Sequence, residues 1–144
     1  MTDTSDARLR HIHHAWHAAV VARDLDALLA LYTDDAVLES PLILVALPDR
    51  RDGVLRGKDA LRAFFATGLR AAASAAPTRW HRSDVFLTHG NRLVWEYPRA
   101  TPDGDQTDLV EVMDLDGERI AHHRVYWGWT GFLALSAMRR GDAA

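Results

Sequence analysis

The strongest constraint on the fold is a pair of adjacent segments near the C-terminus in which apolar and polar residues alternate. Residues 106–115 carry Leu109, Glu111 and Met113 at every second position, so the three side chains share one face of a strand. Residues 119–130 read as the next strand. A carboxylate between Leu and Met costs free energy to bury unless it has a partner or a chemical task. The pattern predicts a hairpin that carries Glu111 into an apolar pocket.

The rest of the chain places helices first and strands afterwards. The first half is predicted to contain a helix over residues 6–22 and a shorter helix that is capped by Asp24 and carries Leu28, Leu31 and Tyr32. A strand over 36–40, an apolar loop over 42–52, a short extended piece between Gly53 and Gly57 and a helix from Lys58 follow. The second half is predicted to contain a connector over 71–77 and strands over 79–88, 92–100, 106–115 and 119–130. Turns at 89–91, 103–104 and 116–118 join these strands. Helices followed by a run of antiparallel strands indicate an α+β fold.

Composition narrows the functional classes. The chain has 144 residues, which predicts a single domain over residues 1–144. Its net charge of -3 argues against a nucleic-acid binder, which needs a basic surface. The absence of cysteine excludes thiolate catalysis and cysteine-ligated zinc. Because the N-terminus is polar and no apolar run is long enough to span a bilayer, we expect a cytoplasmic protein with no membrane partner.

The turn at residues 103–104 predicts a partner for Glu111. If Asp103 and Gly104 are the two turn residues, Glu96 faces Glu111 across the hairpin, with Cβ atoms about 5 Å apart. Two carboxylates so placed cannot both ionise cheaply, so one should retain a proton, which suits general acid–base chemistry. In a longer loop the register slips by one residue and Glu96 points outward, and even a correctly paired Glu96 could be structural.

The last hairpin decides which histidine joins Glu111. A three-residue turn at 116–118 places His123 on the face of Glu111, whereas a two-residue turn places His122 there. The alternating set His123, Val125 and Trp127 is the more apolar one. We therefore expect His123 inside the pocket.

Aromatic and histidine side chains supply further pocket residues. His13 and His17 are four residues apart on the first helix, which allows a metal pair, although a solvated or pocket-edge face is the preferred interpretation and no metal or cofactor is expected. His13 precedes Trp16 by one turn and could reach the pocket. Trp16, Trp127 and Phe64 could line a site for a flat or polycyclic ligand, with core filling as the alternative, favoured for Phe64.

The outer face of the sheet is also predicted to be aromatic. We assign to it Trp80, Trp95 and Trp129, and with them Tyr97, Arg99, Arg124 and Tyr126. Such a face suggests burial against a second copy of the chain. The sequence therefore predicts a homodimer formed through the outer sheet face.

Short motifs follow one another in an order and spacing shared with a known family. They are DLDAL at 24–28, LYTDDAVLESP at 31–41, GKDALRAFF at 57–65, VEVM at 110–113 and the closing Tyr126-Trp127. Together they resemble the nuclear-transport-factor-2-like superfamily, in particular its SnoaL-like and ketosteroid-isomerase-like branches. The resemblance implies a curved antiparallel sheet wrapped over the N-terminal helices, a cone-shaped α+β barrel with an apolar pocket, and commonly a dimer.

The resemblance also assigns roles to individual positions. The general base of the isomerases falls on Ser40, their oxyanion-hole tyrosine on Trp16 and their second oxyanion donor on Glu111, so only the last position keeps its chemistry. SnoaL-like cyclases read roughly I-A-x-H-W-D where this chain has residues 120–125. The histidine is kept at His123, whereas the aspartate is replaced by Val125. The resemblance therefore implies the fold more strongly than any one reaction of the family.

Three functional hypotheses follow. The first is an enzyme that performs isomerisation, cyclisation, dehydration or hydrolytic ring opening on a small apolar or polycyclic molecule, with Glu111 as a protonated acid, His123 or Glu96 as the base and Ser40 as an orienting hydroxyl. The second is a non-catalytic module that binds a small ligand in the same pocket. The third is an interaction protein whose outer sheet is its working surface.

Overall fold

The computed structural model describes residues 4–71, 85–97 and 109–141. Helices occupy α1 (Thr4–Ala22), α2 (Leu25–Ala30), α3 (Ile43–Ala46), α4 (Lys58–Ala71) and α5 (Trp129–Arg140). Strands occupy β1 (Tyr32–Glu39), β2 (Val54–Arg56), β3 (Leu87–His89), β4 (Arg92–Tyr97), β5 (Leu109–Asp116) and β6 (Arg119–Trp127). Helices lead the chain and strands dominate its second half, which confirms the α+β class.

The described strands form one open six-stranded sheet in the order β2-β1-β6-β5-β4-β3. All neighbouring pairs are antiparallel except β1 and β6, which run parallel. This parallel pair makes the sheet mixed rather than purely antiparallel as predicted. It also brings Leu38 of β1 beside His123 of β6.

The predicted elements are largely present, with differences at their ends. The Asp24 carboxylate accepts a hydrogen bond from the Ala27 backbone N–H and caps α2 as expected. Tyr32 does not belong to that helix but begins β1, four residues before the predicted strand. The predicted loop at 42–52 contains the short helix α3, and β6 ends at Trp127, so that Trp129 begins α5. Residues 72–84 and 98–108, with the connector and the 103–104 turn, lie outside the described residues.

The core lies between the inner face of the sheet and helices α1, α2 and α4. Side chains on β5 alternate between buried and half-buried positions, as the sequence pattern predicts. The core is formed by Leu9, Ile12, Trp16, Ala19, Leu28, Leu29, Tyr32, Ala36, Leu38, Ile43, Leu55, Leu61, Phe64, Phe65, Leu93, Trp95, Leu109, Met113, Leu115 and Ile120. None of the described helices is long and apolar enough to cross a membrane.

Candidate active site

Glu111 and His123 form a buried pair on the inner face of the sheet. The Oε2 atom of Glu111 lies 2.5 Å from Nε2 of His123, and the two residues are only 3% and 1% exposed. Met113 lies directly opposite His123 on β5, and Val125 lies opposite Glu111 on β6. A carboxylate and an imidazole are thus held together between apolar neighbours, which confirms the predicted placement of both residues.

A hydrogen-bond chain extends from His123 to α1. Tyr32 Oη lies 2.8 Å from His123 Nδ1 and 3.0 Å from Trp16 Nε1, and all three side chains are buried. The Trp16 N–H can only donate, so Tyr32 accepts from it and uses its own proton to donate to His123 Nδ1. The His123 proton then lies on Nε2 and is donated to Glu111. In this arrangement each nitrogen of the His123 ring has a hydrogen-bond partner.

The predicted carboxyl pair of Glu96 and Glu111 is wrong, and the alternative, in which the register slips by one residue and Glu96 points outward, is confirmed. Trp95, not Glu96, lies opposite Glu111, because the register of β4 and β5 is shifted by one residue from the predicted one. Glu96 lies opposite Val110 and is exposed on the other face of the sheet. The same shift overturns the outward assignment of Trp95, which is only 1% exposed and part of the core. Among the described strands, the predicted pairing of two carboxyl groups is therefore not formed.

His123 points inward for a reason that differs from the predicted one. The hairpin turn contains two residues, Gly117 and Glu118, so Asp116 pairs with Arg119. That turn alone would have placed His122 inside. Ala121, however, is an extra residue in β6, because Leu115 pairs with Ile120 whereas Asp114 already pairs with His122. This bulge restores the inward direction of His123.

Helix α1 adds two further buried histidines. His17 Nδ1 lies 2.7 Å from the backbone oxygen of His13, and the two rings lie 4.4 Å apart between their centres. The His13 ring stacks on Phe86 and meets Trp95 edge-on. The bulk of both rings is buried, so the solvated alternative for this helix face is wrong. Within the described ranges, no group of three His, Cys, Asp or Glu residues is arranged to hold a metal ion.

Burial governs proton affinity in this cluster. Loss of solvation lowers the pKa of His17 below its usual value of 6.5, although the hydrogen bond to His13 and the attraction of Glu111 raise it. Burial also raises the pKa of Tyr32 well above 10, with the nearby Glu111 charge acting in the same direction. At neutral pH the site therefore contains a neutral His17 and a protonated Tyr32.

The remaining predicted pocket residues lie on the same side of the sheet but differ in their contacts. Leu109 and Met113 are buried on β5, whereas Val125 and Trp127 on β6 are half-buried. Ser40 is buried after β1, where its Oγ accepts a hydrogen bond from the Leu42 N–H. Phe64 is buried against Phe65, whose ring contacts Tyr32. The backbone N–H of Ser40 also donates to Gly53, where a Cβ atom would lie 2.9 Å from the Ser40 carbonyl oxygen.

Sequence reasoning missed three residues of the cluster. The sequence predicts Tyr32 in a helix, His17 as a metal ligand or on a solvated or pocket-edge helix face, and Trp95 on the outer face of the sheet. The signal available for Trp95 is that Leu93 and Trp95 alternate with the charged residues Arg92 and Glu96. No local pattern identifies Tyr32 as the partner of His123, because 91 residues separate them in the chain.

The outer face of the sheet is polar as well as aromatic. Asp114 accepts hydrogen bonds from Arg92 and Arg124, and these contacts lower the pKa of its carboxyl group. Tyr126 lies on this face and is 57% exposed. Trp129 is exposed on α5 rather than on the sheet, which corrects its predicted position, and Trp80 and Arg99 lie outside the described residues. A surface groove elsewhere on the molecule runs between α1, α2 and the 117–118 turn, lined by Arg8, His11, Leu31 and Arg119 among others.

Comparison with known proteins identifies the family of this chain. The family model described as a SnoaL-like domain matches residues 13–123, which is more than half of the chain. The chain belongs to the SnoaL-like domain family. The matched residues include Trp16, Tyr32, Glu111 and His123, so the whole hydrogen-bond chain lies within the family domain. No curated protein matches the sequence.

Solved structures agree with this assignment. A SnoaL-like protein of unknown function from Burkholderia thailandensis is 24% identical, with a TM-score of 0.65 over 85% of this chain and 95% of that one. A candidate polyketide cyclase from Sinorhizobium meliloti is 19% identical, with a TM-score of 0.55 over 81% and 94%. A protein with a ketosteroid isomerase-like fold from Catenulispora acidiphila, in complex with trimethylamine, is 18% identical, with a TM-score of 0.55 over 88% and 92%. At these identities the likeness shows the fold of this SnoaL-like protein.

Proposed function

We propose that this protein is an enzyme that moves protons on a small, largely apolar organic substrate, with Glu111 as its central acid–base group. The reaction would be of the isomerase, cyclase, dehydratase or epoxide-hydrolase type. The observation that carries the proposal is the buried chain from Trp16 through Tyr32 and His123 to Glu111. Such a chain costs free energy to bury, and active sites are where proteins commonly hold polar groups of this kind.

The chain orients Glu111. His123 donates to Oε2 of Glu111 while its other ring nitrogen accepts from Tyr32, so both nitrogens are engaged and the ring cannot rotate. His123 therefore acts as a positioning residue for the carboxylate. The second oxygen of Glu111 would accept a proton from the substrate and return it at another carbon or oxygen atom. Return of the proton balances an isomerisation or a ring closure without a further reactant.

The surroundings favour an apolar substrate. Val125 and Trp95 lie opposite Glu111 on the two neighbouring strands, and Met113 and Trp16 lie beside His123. In such surroundings a charge on Glu111 interacts more strongly with a developing substrate charge than it would in water. Two solved relatives described as candidate polyketide cyclases are consistent with this substrate class.

A non-catalytic ligand-binding module is the second candidate function. Ser40, Trp16 and Val125 occupy the positions at which the resemblance would place an acid, a tyrosine and an aspartate. The Catenulispora relative, which is described with bound trimethylamine and without an activity, shows that a protein of this fold can hold a small organic molecule. In this alternative the same buried cluster would recognise a metabolite without converting it.

The ring opening of 5-nitrobenzisoxazole tests the catalytic proposal without knowledge of the natural substrate. A base removes the ring C–H proton, the N–O bond breaks and a coloured cyanophenolate forms, so the initial rate reports proton abstraction in an apolar site. We expect Glu111→Gln to lower kcat/KM by about 100-fold or more. His123→Ala should also lower it, because the carboxylate would lose its orienting donor.

Glu118→Gln is the matched control, because Glu118 is an exposed residue in the 117–118 turn. Its rate should stay within about twofold of the wild type, since a remote surface residue makes no contact with the reacting atoms. Equal rates for wild type and Glu111→Gln would contradict the enzyme proposal. Saturable binding of the probe without a Glu111-dependent rate would support the binding module instead.

A further inference from the structure

We infer that the surface groove between α1, α2 and the 117–118 turn binds a monocarboxylate that carries an apolar frame. The groove is a site of its own, because none of its lining residues belongs to the buried chain that runs from Trp16 to Glu111. This ligand is additional to the substrate of the proposed reaction. Neither the fold nor the family match assigns a role to this surface.

Three parts of the chain meet at the groove. Helix α1 supplies Arg8 and His11, which lie three residues apart and so share one face of the helix. The end of α2 and the 117–118 turn supply the other two sides, and the Ile120 N–H ties them together by donating to the Leu31 carbonyl oxygen at 2.7 Å. The groove has a volume of about 570 Å³. This volume lies within the range of about 300–1,000 Å³ that is typical of sites for small molecules.

The Arg8 guanidinium is fixed at one nitrogen and keeps most of its donors. Its Nη1 donates to the Gly117 carbonyl oxygen at 3.3 Å, although the two residues are 109 positions apart in the chain. A guanidinium has five N–H donors, and among the described residues this is the one hydrogen bond that Arg8 makes. Its Nε–H is buried and has no acceptor in the same part of the chain. Arg8 is therefore a positioned cation with unused donors, which is what a planar anion requires.

The groove also carries charges that no ion pair neutralises. Neither Arg8 nor Arg119 lies within 4 Å of a carboxylate oxygen of the described residues, whereas Arg10 of the same helix pairs with Asp6. Glu118 lines the groove as well and makes no ion pair with the described cations. The lining therefore carries two positive charges and one negative charge, which favours an anion with a single charge.

A carboxylate attached to an apolar frame fits this lining. A carboxylate accepts two parallel N–H bonds from a guanidinium, and the His11 imidazole presents an N–H donor in either charge state. The negative charge of Glu118 disfavours a doubly charged group such as a phosphate monoester. The remaining lining side chains are apolar and favour an apolar frame, and they are Ala7, Ala30 and Leu31.

NMR titration of 15N-labelled protein with benzoate and with benzamide at pH 7.5 tests the inference, because the amide keeps the ring and removes the charge. The signals followed are the side-chain Nε–H groups of Arg8 and Arg119 and the backbone N–H of Gly117. We expect benzoate to shift these signals saturably and to bind about tenfold more tightly than benzamide, or better. Inorganic phosphate should bind more weakly than benzoate.

Substitutions of the two cations locate the bound anion. Arg8→Gln and Arg119→Gln should each lower the affinity for benzoate by about fivefold or more, as the loss of a charge-assisted hydrogen bond implies. Arg51→Gln is the matched control, because it removes the same charge at an exposed position outside the groove, and it should leave the Kd within about twofold. Arg119 is exposed, so its replacement keeps the test decisive if Arg8→Gln folds poorly.

Four results would overturn the inference. They are the absence of a saturable benzoate shift at the groove signals, equal affinities for benzoate and benzamide, an affinity for phosphate that matches that for benzoate, and an unchanged affinity in Arg119→Gln. Benzoate shifts that are confined to His123 and its neighbours count as absence at the groove. The dependence of 5-nitrobenzisoxazole ring opening on Glu111 is measured separately, so failure of the groove site leaves the proposed function standing.

Discussion

Replacement of Tyr32 by Phe tests the hydrogen-bond chain at its centre. The substitution keeps the ring, which is fully buried, and removes only the hydroxyl group. Trp16 Nε1 then loses its acceptor and His123 Nδ1 loses its donor. Each buried group left without a partner costs about 1–3 kcal/mol, and the variant no longer buries a hydroxyl group, so we expect the free energy of unfolding to fall by about 2–4 kcal/mol.

Urea denaturation followed by far-UV circular dichroism at pH 7.5 measures this loss. Tyr126→Phe is the matched control, because the Tyr126 side chain is 57% exposed on the outer face. The control should differ from the wild type by less than about 0.5 kcal/mol. In Tyr32→Phe the 15N resonance of His123 Nδ1 should also move, because this nitrogen no longer accepts a hydrogen bond.

A Tyr32→Phe variant as stable as Tyr126→Phe would refute the reasoning. It would mean that Trp16 and His123 do not depend on the Tyr32 hydroxyl for their hydrogen bonds. The assignment of the His123 proton to Nε2 would then lose its support, because that assignment requires Tyr32 to donate.

Acid sensitivity and assembly give two further predictions. Burial lowers the pKa of His17 in the folded protein, so the unfolded chain binds a proton on His17 at a higher pH than the folded chain does. The contribution of His17 to the free energy of unfolding is therefore complete above about pH 6.5, the pKa of the unfolded chain. It is lost as the pH falls through the lower pKa of the folded protein. The stability advantage of wild type over His17→Gln should therefore shrink between pH 7.5 and 5, and a constant difference in urea denaturation would contradict this. We also propose that a second copy of the chain covers the outer sheet face. Tyr126→Glu should then lower the mass measured by sedimentation velocity, whereas Leu133→Glu, a control on α5, should leave the mass unchanged. A monomeric wild type would exclude this dimer.

Much of the fold could be predicted because periodicity reports directly on burial. The alternation around Glu111 predicts β5 and its inner face, and the apolar spacing from Leu61 to Leu69 predicts α4. Asp24 was recognised as a cap because its side chain acts on a backbone N–H only three residues away. These features are local, so the sequence contains the information needed to find them.

The register across β4 and β5 could not be predicted in the same way. The predicted register depends on the turn at residues 103–104, where a change of one residue exchanges Trp95 and Glu96 between the two faces. The hydrogen-bond partners of His123 could not be predicted from local sequence patterns either. Tyr32 reaches His123 through the parallel pairing of β1 with β6, and Trp16 reaches it through the packing of α1. The identity of the central pair was therefore predictable, whereas the residues that orient it were not.

The extra residue at Ala121 divides the last hairpin into two parts with different registers. At the tip, the two-residue turn sets which side chains of β6 point inward. Beyond Ala121 the inward and outward positions are exchanged, and His123 lies in this second part. Substitutions at the tip therefore leave the direction of His123 unchanged. Deletion of a single residue between Ile120 and His122, by contrast, would exchange the inner and outer sets of side chains along β6 and turn the imidazole away from Glu111. The length of this short stretch, more than its composition, is what a descendant of this protein must conserve to keep the site.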